Sequence, residues 1–104
     1  MLGALEEQIL VALLRLKGGY GMETRREIER VTGRDLAIGS VYITLDRLEA
    51  KGLVVSRRVQ EDGGSRRLFE LCTAGARALA ETHSIRERLW AGVDIRRLSA
   101  LARA

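Results

Sequence analysis

One stretch, Leu53–Leu71, breaks the helical rhythm of this chain, and it does so in a form that dictates local structure. Leu53-Val54-Val55-Ser56-Arg57-Arg58-Val59 is rich in β-branched residues, as a strand is. Asp62-Gly63-Gly64, within the loop Gln60–Ser65, is a strong hairpin signal, and Arg66–Leu71 returns as the second strand. Everything on either side reads as helix. The chain contains no proline, so glycines mark the breaks, at Gly18-Gly19, Gly33, Gly52 and Gly63-Gly64.

Before the hairpin, three helices are expected. The first covers Leu2–Lys17, with Leu5, Ile9, Ala12, Leu13 and Leu16 at helical spacing and Leu10 and Leu14 widening the stripe. That many aliphatic residues imply burial on more than one side. The second covers Tyr20–Thr32, with Met22, Ile28 and Val31 inward and Gly33 as its C-terminal glycine. Arg34–Leu36 is a short connector with room for one β-bridge. The third covers Ile38–Lys51, where Val41, Leu45 and Leu48 form a narrow apolar stripe. Its opposite face carries Ser40, Ile43, Thr44, Asp46, Arg47 and Ala50. After the hairpin a fourth helix is expected over Thr73–Ala91, with stripes Thr82-Ile85-Leu89 and Leu79-His83-Trp90. Gly92 interrupts it, and Val93–Ala104 is read as a short tail helix capped by Asp94 with Ile95, Leu98 and Leu101 inward.

Helix, helix, helix, β-hairpin, long helix is the order of a winged helix-turn-helix, a mainly α fold with a small β-hairpin (α+β). Residues 1–72 are expected to form a DNA-binding winged helix, and 73–104 a C-terminal helix with a short tail. In such a fold the polar face of the third helix enters the major groove of duplex DNA and the hairpin lies along the backbone. The charges suit this. The net charge is +4, the pI is near 10.0, and Arg far outnumbers Lys, a bias that favours phosphate. Arg57, Arg58, Arg66 and Arg67 bracket the hairpin loop, and like charges on paired strands cost stability unless an anion neutralises them.

The third helix and wing closely resemble the PadR family of transcriptional regulators. Gly39-Ser40-Val41-Tyr42-Ile43-Thr44-Leu45-Asp46-Arg47-Leu48-Glu49-Ala50-Lys51-Gly52-Leu53 is similar to the family's core signature. Tyr20-Gly21 is similar to its Tyr-Gly, and Gly64-Ser65-Arg66-Arg67-Leu68-Phe69 to its wing motif. The resemblance covers roughly residues 3–75. It implies a homodimer held by the C-terminal helix with help from the first, and a repressor whose DNA affinity falls when a small lipophilic or aromatic effector binds. Three positions depart from the family. Ala37 stands in place of a capping Ser, with Asp35 or the fold left to compensate. Cys72 stands in place of a Thr, so that Thr73 could move in as the cap. Phe69 stands in place of a Tyr.

The expected DNA contacts are Ser40, Tyr42, Thr44 and Arg47 on the third helix and Arg58, Arg66 and Arg67 on the wing. Tyr42 has core packing as its alternative; Ser40 and Thr44 have an ordinary solvated face. Arg47 has as its rival an internal pair with Asp46, Glu49 or an acid on another helix. Arg57 and Arg58 point to opposite strand faces, so only one, taken as Arg58, reaches DNA. Leu5, Ile9, Ile85, Leu89 and Trp90 are the candidates for a dimer interface or effector pocket, with Trp90 as interface anchor. His83, the lone histidine, reads as structural or solvated. Cys72, the lone cysteine, reads as a small hydrophobe with redox sensing as its rival; it excludes an intrachain disulfide and a Cys-cluster metal site.

No catalytic, cofactor or metal motif is visible, so an enzyme is not expected. No secretory signal or membrane span is expected either, which points to the cytoplasm. The rival function is a winged-helix module that binds protein instead of DNA. For a dimer, the operator is expected to be roughly palindromic.

Overall fold

The computed structural model describes residues 1–104, ordered as α1 (Ala4–Leu16), β1 (Gly19–Tyr20), α2 (Gly21–Thr32), α3 (Ile38–Ala50), β2 (Val54–Glu61), β3 (Gly64–Leu71), α4 (Thr73–Trp90) and α5 (Ile95–Ala102). This is the winged helix read from the pattern. α1 starts two residues later than expected, where the Glu6 carboxylate accepts the Gly3 N–H (3.1 Å) and its charge suits the helix N-terminus. Lys17 takes the left-handed conformation that ends the helix (φ 58°), and the Gly18 N–H reaches back to the Leu13 carbonyl. α2 ends at Gly33 in the same conformation (φ 71°).

The core is one cluster in which Ile9, Leu10 and Leu13 of α1 meet Ile28 of α2, Val41, Leu45 and Leu48 of α3, Val54 and Phe69 of the hairpin, and Leu79 of α4. The stripe expected on α3 is therefore the buried one. Thr44 joins it: this residue, read as outward-facing, is buried, because it lies three residues after Val41 and beside Leu45 on the inner side of the helix. Val31, expected inward, is exposed, and Gly21 and Thr24 take the inner face of α2 with Ile28.

The sheet has a strand that the sequence reading missed. Gly19 and Tyr20, read as a helix boundary, pair antiparallel with Phe69 and Leu68, giving a three-stranded sheet of order β1-β3-β2. The connector Arg34–Leu36 forms no strand; the Leu36 N–H donates to Glu29 and its carbonyl accepts from Arg25, both at 2.8 Å. β2 and β3 stay paired out to Glu61↔Gly64, so the turn is shorter than expected, with Gly63 at φ 86°.

The peptide of Leu53 joins three elements. Gly52, at φ 75°, turns the chain so that the Leu53 N–H donates to the Leu48 carbonyl of α3 (2.9 Å). The Leu53 carbonyl accepts from the Cys72 N–H just before α4 (3.0 Å). Gly75 in the first turn of α4 packs directly on that same carbonyl, leaving no space for a β-carbon.

α4 is also tied to the N-terminal segment at two places: Thr82 accepts from the Leu2 N–H ahead of α1 (3.1 Å), and Arg86 donates to both oxygens of Glu7 in α1 (2.8 and 2.9 Å). Past Arg86 the chain leaves the body. Asp94 caps α5, as expected, through the Arg96 N–H (3.0 Å). Ile95, Leu98 and Leu101, read as inward, are all exposed, because this eight-residue helix joins no part of the core and buries no residue. The molecule is accordingly elongated, 53 × 27 × 20 Å. No helix is long and apolar enough to cross a membrane.

Candidate nucleic-acid interface

α3 presents an outer row of Ser40, Ile43 and Arg47, all exposed, at successive helical spacings. Ser40 lies in the first turn, which starts at Ala37 without any side-chain cap, so neither Asp35 nor another residue replaces the missing hydroxyl. Ile43 was seen on this face but not counted among the contacts. Thr44 is withdrawn from it by burial.

Tyr42 flanks the row and has two environments. Its ring lies over the backbone of Gly21 so closely that a β-carbon there would fall 2.5 Å from the ring, so the packing alternative for this residue is realised. The residue as a whole is nevertheless about two-fifths exposed (38%).

The wing arginines divide in a way their adjacency conceals. Arg66 and Arg67 are neighbours, so they face opposite sides of β3. Arg67 turns toward α3, where its two terminal nitrogens donate to Asp46 Oδ1 and Glu49 Oε2, both at 2.8 Å. Its guanidinium also lies 4.7 Å from the Phe69 ring centroid. The carboxylates proposed as partners for Arg47 are thus taken by Arg67, and Arg47 forms no internal pair. The Ser56 hydroxyl and backbone, followed by the charge of Arg67, hold the Glu49 carboxyl below its ordinary pKa.

On the other side, Arg66 lies over the Tyr20 ring, 3.6 Å from its centroid, and meets Glu61 at 3.3 Å. Tyr20 donates its hydroxyl to the same carboxylate (3.0 Å), which raises the phenol pKa. Arg57 pairs loosely with Glu70 (3.6 Å). Arg58 meets no carboxylate, only the Ser65 hydroxyl at 3.4 Å. The crowding of positive charge on the hairpin is therefore neutralised mostly by the protein's own acids. These acids (Asp46, Glu49, Glu61 and Glu70) were readable as residues, but their pairing depends on which strand face meets α3.

The five candidates for an interface or effector pocket differ in exposure. Ile9 is fully buried in the core, so it lines no external surface, and Leu5 packs half-buried against that core. Ile85 is partly covered, whereas Leu89 and Trp90 stand exposed at the end of α4. An apolar groove of about 150 Å³ lies elsewhere, between α1 and α2, lined by Val11, Ala12, Ile28 and Val31. Cys72, at the N-cap of α4, is partly covered and makes no capping bond, and Thr73 does not shift into its place. His83 is exposed beside Glu87. No group of acidic, histidine or cysteine side chains is arranged to hold a metal ion.

The transcriptional regulator PadR-like family matches this chain over residues 9–81. A transcriptional regulator of Mycobacterium tuberculosis is 39% identical over 70 residues, a stretch covering 67% of this chain and 64% of that one. The chain thus spans a little under two thirds of that relative's length. Among solved structures, RosR of H. salinarum is similar over 97% of this chain and 88% of its own, at 25% identity and a TM-score of 0.74. A PadR family transcription regulator from Clostridium difficile is similar over 98% of this chain and 100% of its own, at 26% identity and a TM-score of 0.63. A winged-helix DNA-binding protein from STIV, 19% identical with a TM-score of 0.68 over 85% of this chain and 92% of its own, shares the fold.

Proposed function

This chain is a member of the PadR-like family of transcriptional regulators, and from that premise we propose that it binds duplex DNA, sequence-specifically and as a homodimer, to regulate transcription. The observation that carries this reading is the exposed row Ser40–Ile43–Arg47 on α3, with the unpaired Arg58 on the adjoining wing. Ser40 and Tyr42 are suited to phosphate or base-edge contacts, and Arg47 to a phosphate or a guanine edge. On the wing, Arg58 is the first phosphate contact. Arg66 is the second, because its exposed pair with Glu61 is the kind of ion pair worth little in water and open to displacement by a phosphate.

Arg67 has a different task in this reading. Its fork joins the wing to α3, so it fixes the spacing between the two DNA-facing elements rather than touching DNA. The exposed apolar residues of α4 and α5 provide the surface for the second protomer, and the resulting two-fold symmetry calls for a roughly palindromic operator. Repression relieved by a small lipophilic or aromatic ligand completes the proposal; its support is the family resemblance, and the groove between α1 and α2 is the apolar concavity available to such a ligand.

The test is a fluorescence-anisotropy titration with duplex from upstream of the protein's own gene, and a scrambled duplex beside it, at several salt concentrations. The native duplex should bind more tightly, with log affinity falling against log salt by about 0.9 per phosphate neutralised. Arg58→Ala should make that slope shallower by about one phosphate. Arg67→Ala should weaken specific binding without the loss of slope that a phosphate contact would give. Equal binding of both duplexes would transfer the assignment to a winged helix that recognises protein.

A further inference from the structure

We propose that Ile43 reads the 5-methyl group of a thymine in the major groove, which makes it a specificity-determining residue of this protein. The proposal rests on the DNA-binding reading above and adds to it the chemistry of one base contact.

Ile43 is 61% exposed, although every other aliphatic residue larger than alanine on α3 is buried or half-buried. A single exposed isoleucine is ordinary on most surfaces. Its position here is not ordinary: it occupies the middle of the outer row, between Ser40 and Arg47, on the side of α3 opposite the fully buried Val41, Leu45 and Leu48. It contributes nothing to the core and has no apolar neighbour in the row with which to form a docking patch.

The nearby charge points the same way. Asp46, the acid on this side of the helix, is held by Arg67 at 2.8 Å, which draws its charge toward the wing. What remains along the row is a hydroxyl, a branched aliphatic group and a guanidinium. In a major groove lined with hydrogen-bond donors and acceptors, the thymine methyl is the one apolar feature on a base edge, and it is the match for an aliphatic side chain. Ser40 and Arg47 would then set the register, and Ile43 would distinguish thymine from cytosine at one step.

The experiment begins with a duplex enriched by the protein from a random pool, then re-synthesised with deoxyuridine in place of each thymine in turn. This change removes only the methyl group and leaves pairing, O4 and the phosphates intact. Wild-type protein should lose about fourfold in affinity at one thymine per half-site, the equivalent of one buried methyl-sized group. Ile43→Ala should bind the thymine and deoxyuridine duplexes equally at that position, and circular dichroism should show an intact fold because Ile43 supports no core contact. The inference is overturned if no thymine matters to the wild type, or if Ile43→Ala loses affinity on deoxyuridine as much as the wild type does. Failure to enrich any duplex would overturn the DNA-binding reading itself and this contact with it.

Discussion

The body from α1 to Arg86 and the projection from Glu87 to Ala104 are built from similar residues and solve opposite problems. In the body, aliphatic residues from four helices and the hairpin close on one another, and Phe69, Leu45 and Leu48 are wholly buried. In the projection, Leu89, Trp90, Ile95, Leu98 and Leu101 stay exposed and join no core. A helix as short as α5 is marginal in water unless its apolar face is packed. The first region thus holds the whole of the hydrophobic core. The second leaves its apolar residues exposed, and in the dimer proposed above they would be covered by association.

The largest expected effect falls on the body. Phe69→Ala removes a fully buried ring from beneath the wing, and its urea midpoint should drop by the equivalent of about 3–5 kcal/mol. It would break the contrast if this variant unfolded no more easily than one altered in α5. Next, Leu101→Asp should leave the dilute protomer's fold unchanged while weakening dimerisation by about 1.5–3 kcal/mol per leucine withdrawn from the interface. Sedimentation across a concentration series measures this, and an unchanged association constant would show that α5 stays outside the dimer contact.

The smallest effect is electrostatic and lies within the body. Glu27 is held by hydrogen bonds from Arg30 and then Arg15, both at 2.9 Å, and its pKa falls to about 2 from an ordinary value of 4.5. Because the folded value is depressed, the contribution is fully present above the unfolded pKa and is lost as pH falls from about 4.5 toward 2. Urea midpoints measured across that window should decline less for Glu27→Gln than for the wild type. High salt should reduce the difference, since both arginines are exposed.

The same division explains which parts of the molecule could be read in its sequence. The stripe Val41-Leu45-Leu48 and the Asp-Gly-Gly turn are set by local periodicity and local backbone chemistry, so they were legible. Thr44 was not, because a hydroxyl names no side of a helix; only the neighbours that cover it do. The two residues of β1 form a strand solely because β3 offers them an open edge. Arg66 and Arg67 could be assigned to opposite faces of a strand, yet which face would meet Asp46 and Glu49 is a property of the assembled fold. The tail stripe was correctly apolar and wrongly placed inward, since periodicity gives a face to bury and not the chain that buries it.

The Leu53 peptide has a mechanical consequence. Its N–H is fastened to the end of α3, its carbonyl to the start of α4, and Gly75 rests on that carbonyl with no slack. In a close-packed joint of this kind a tilt of α4 finds no free volume to absorb it. The Leu53 peptide is thus the joint at which the end of α3 and the start of α4 are held to each other. A tilt of α4 about this joint would press on the last turn of α3, the helix that carries Arg47.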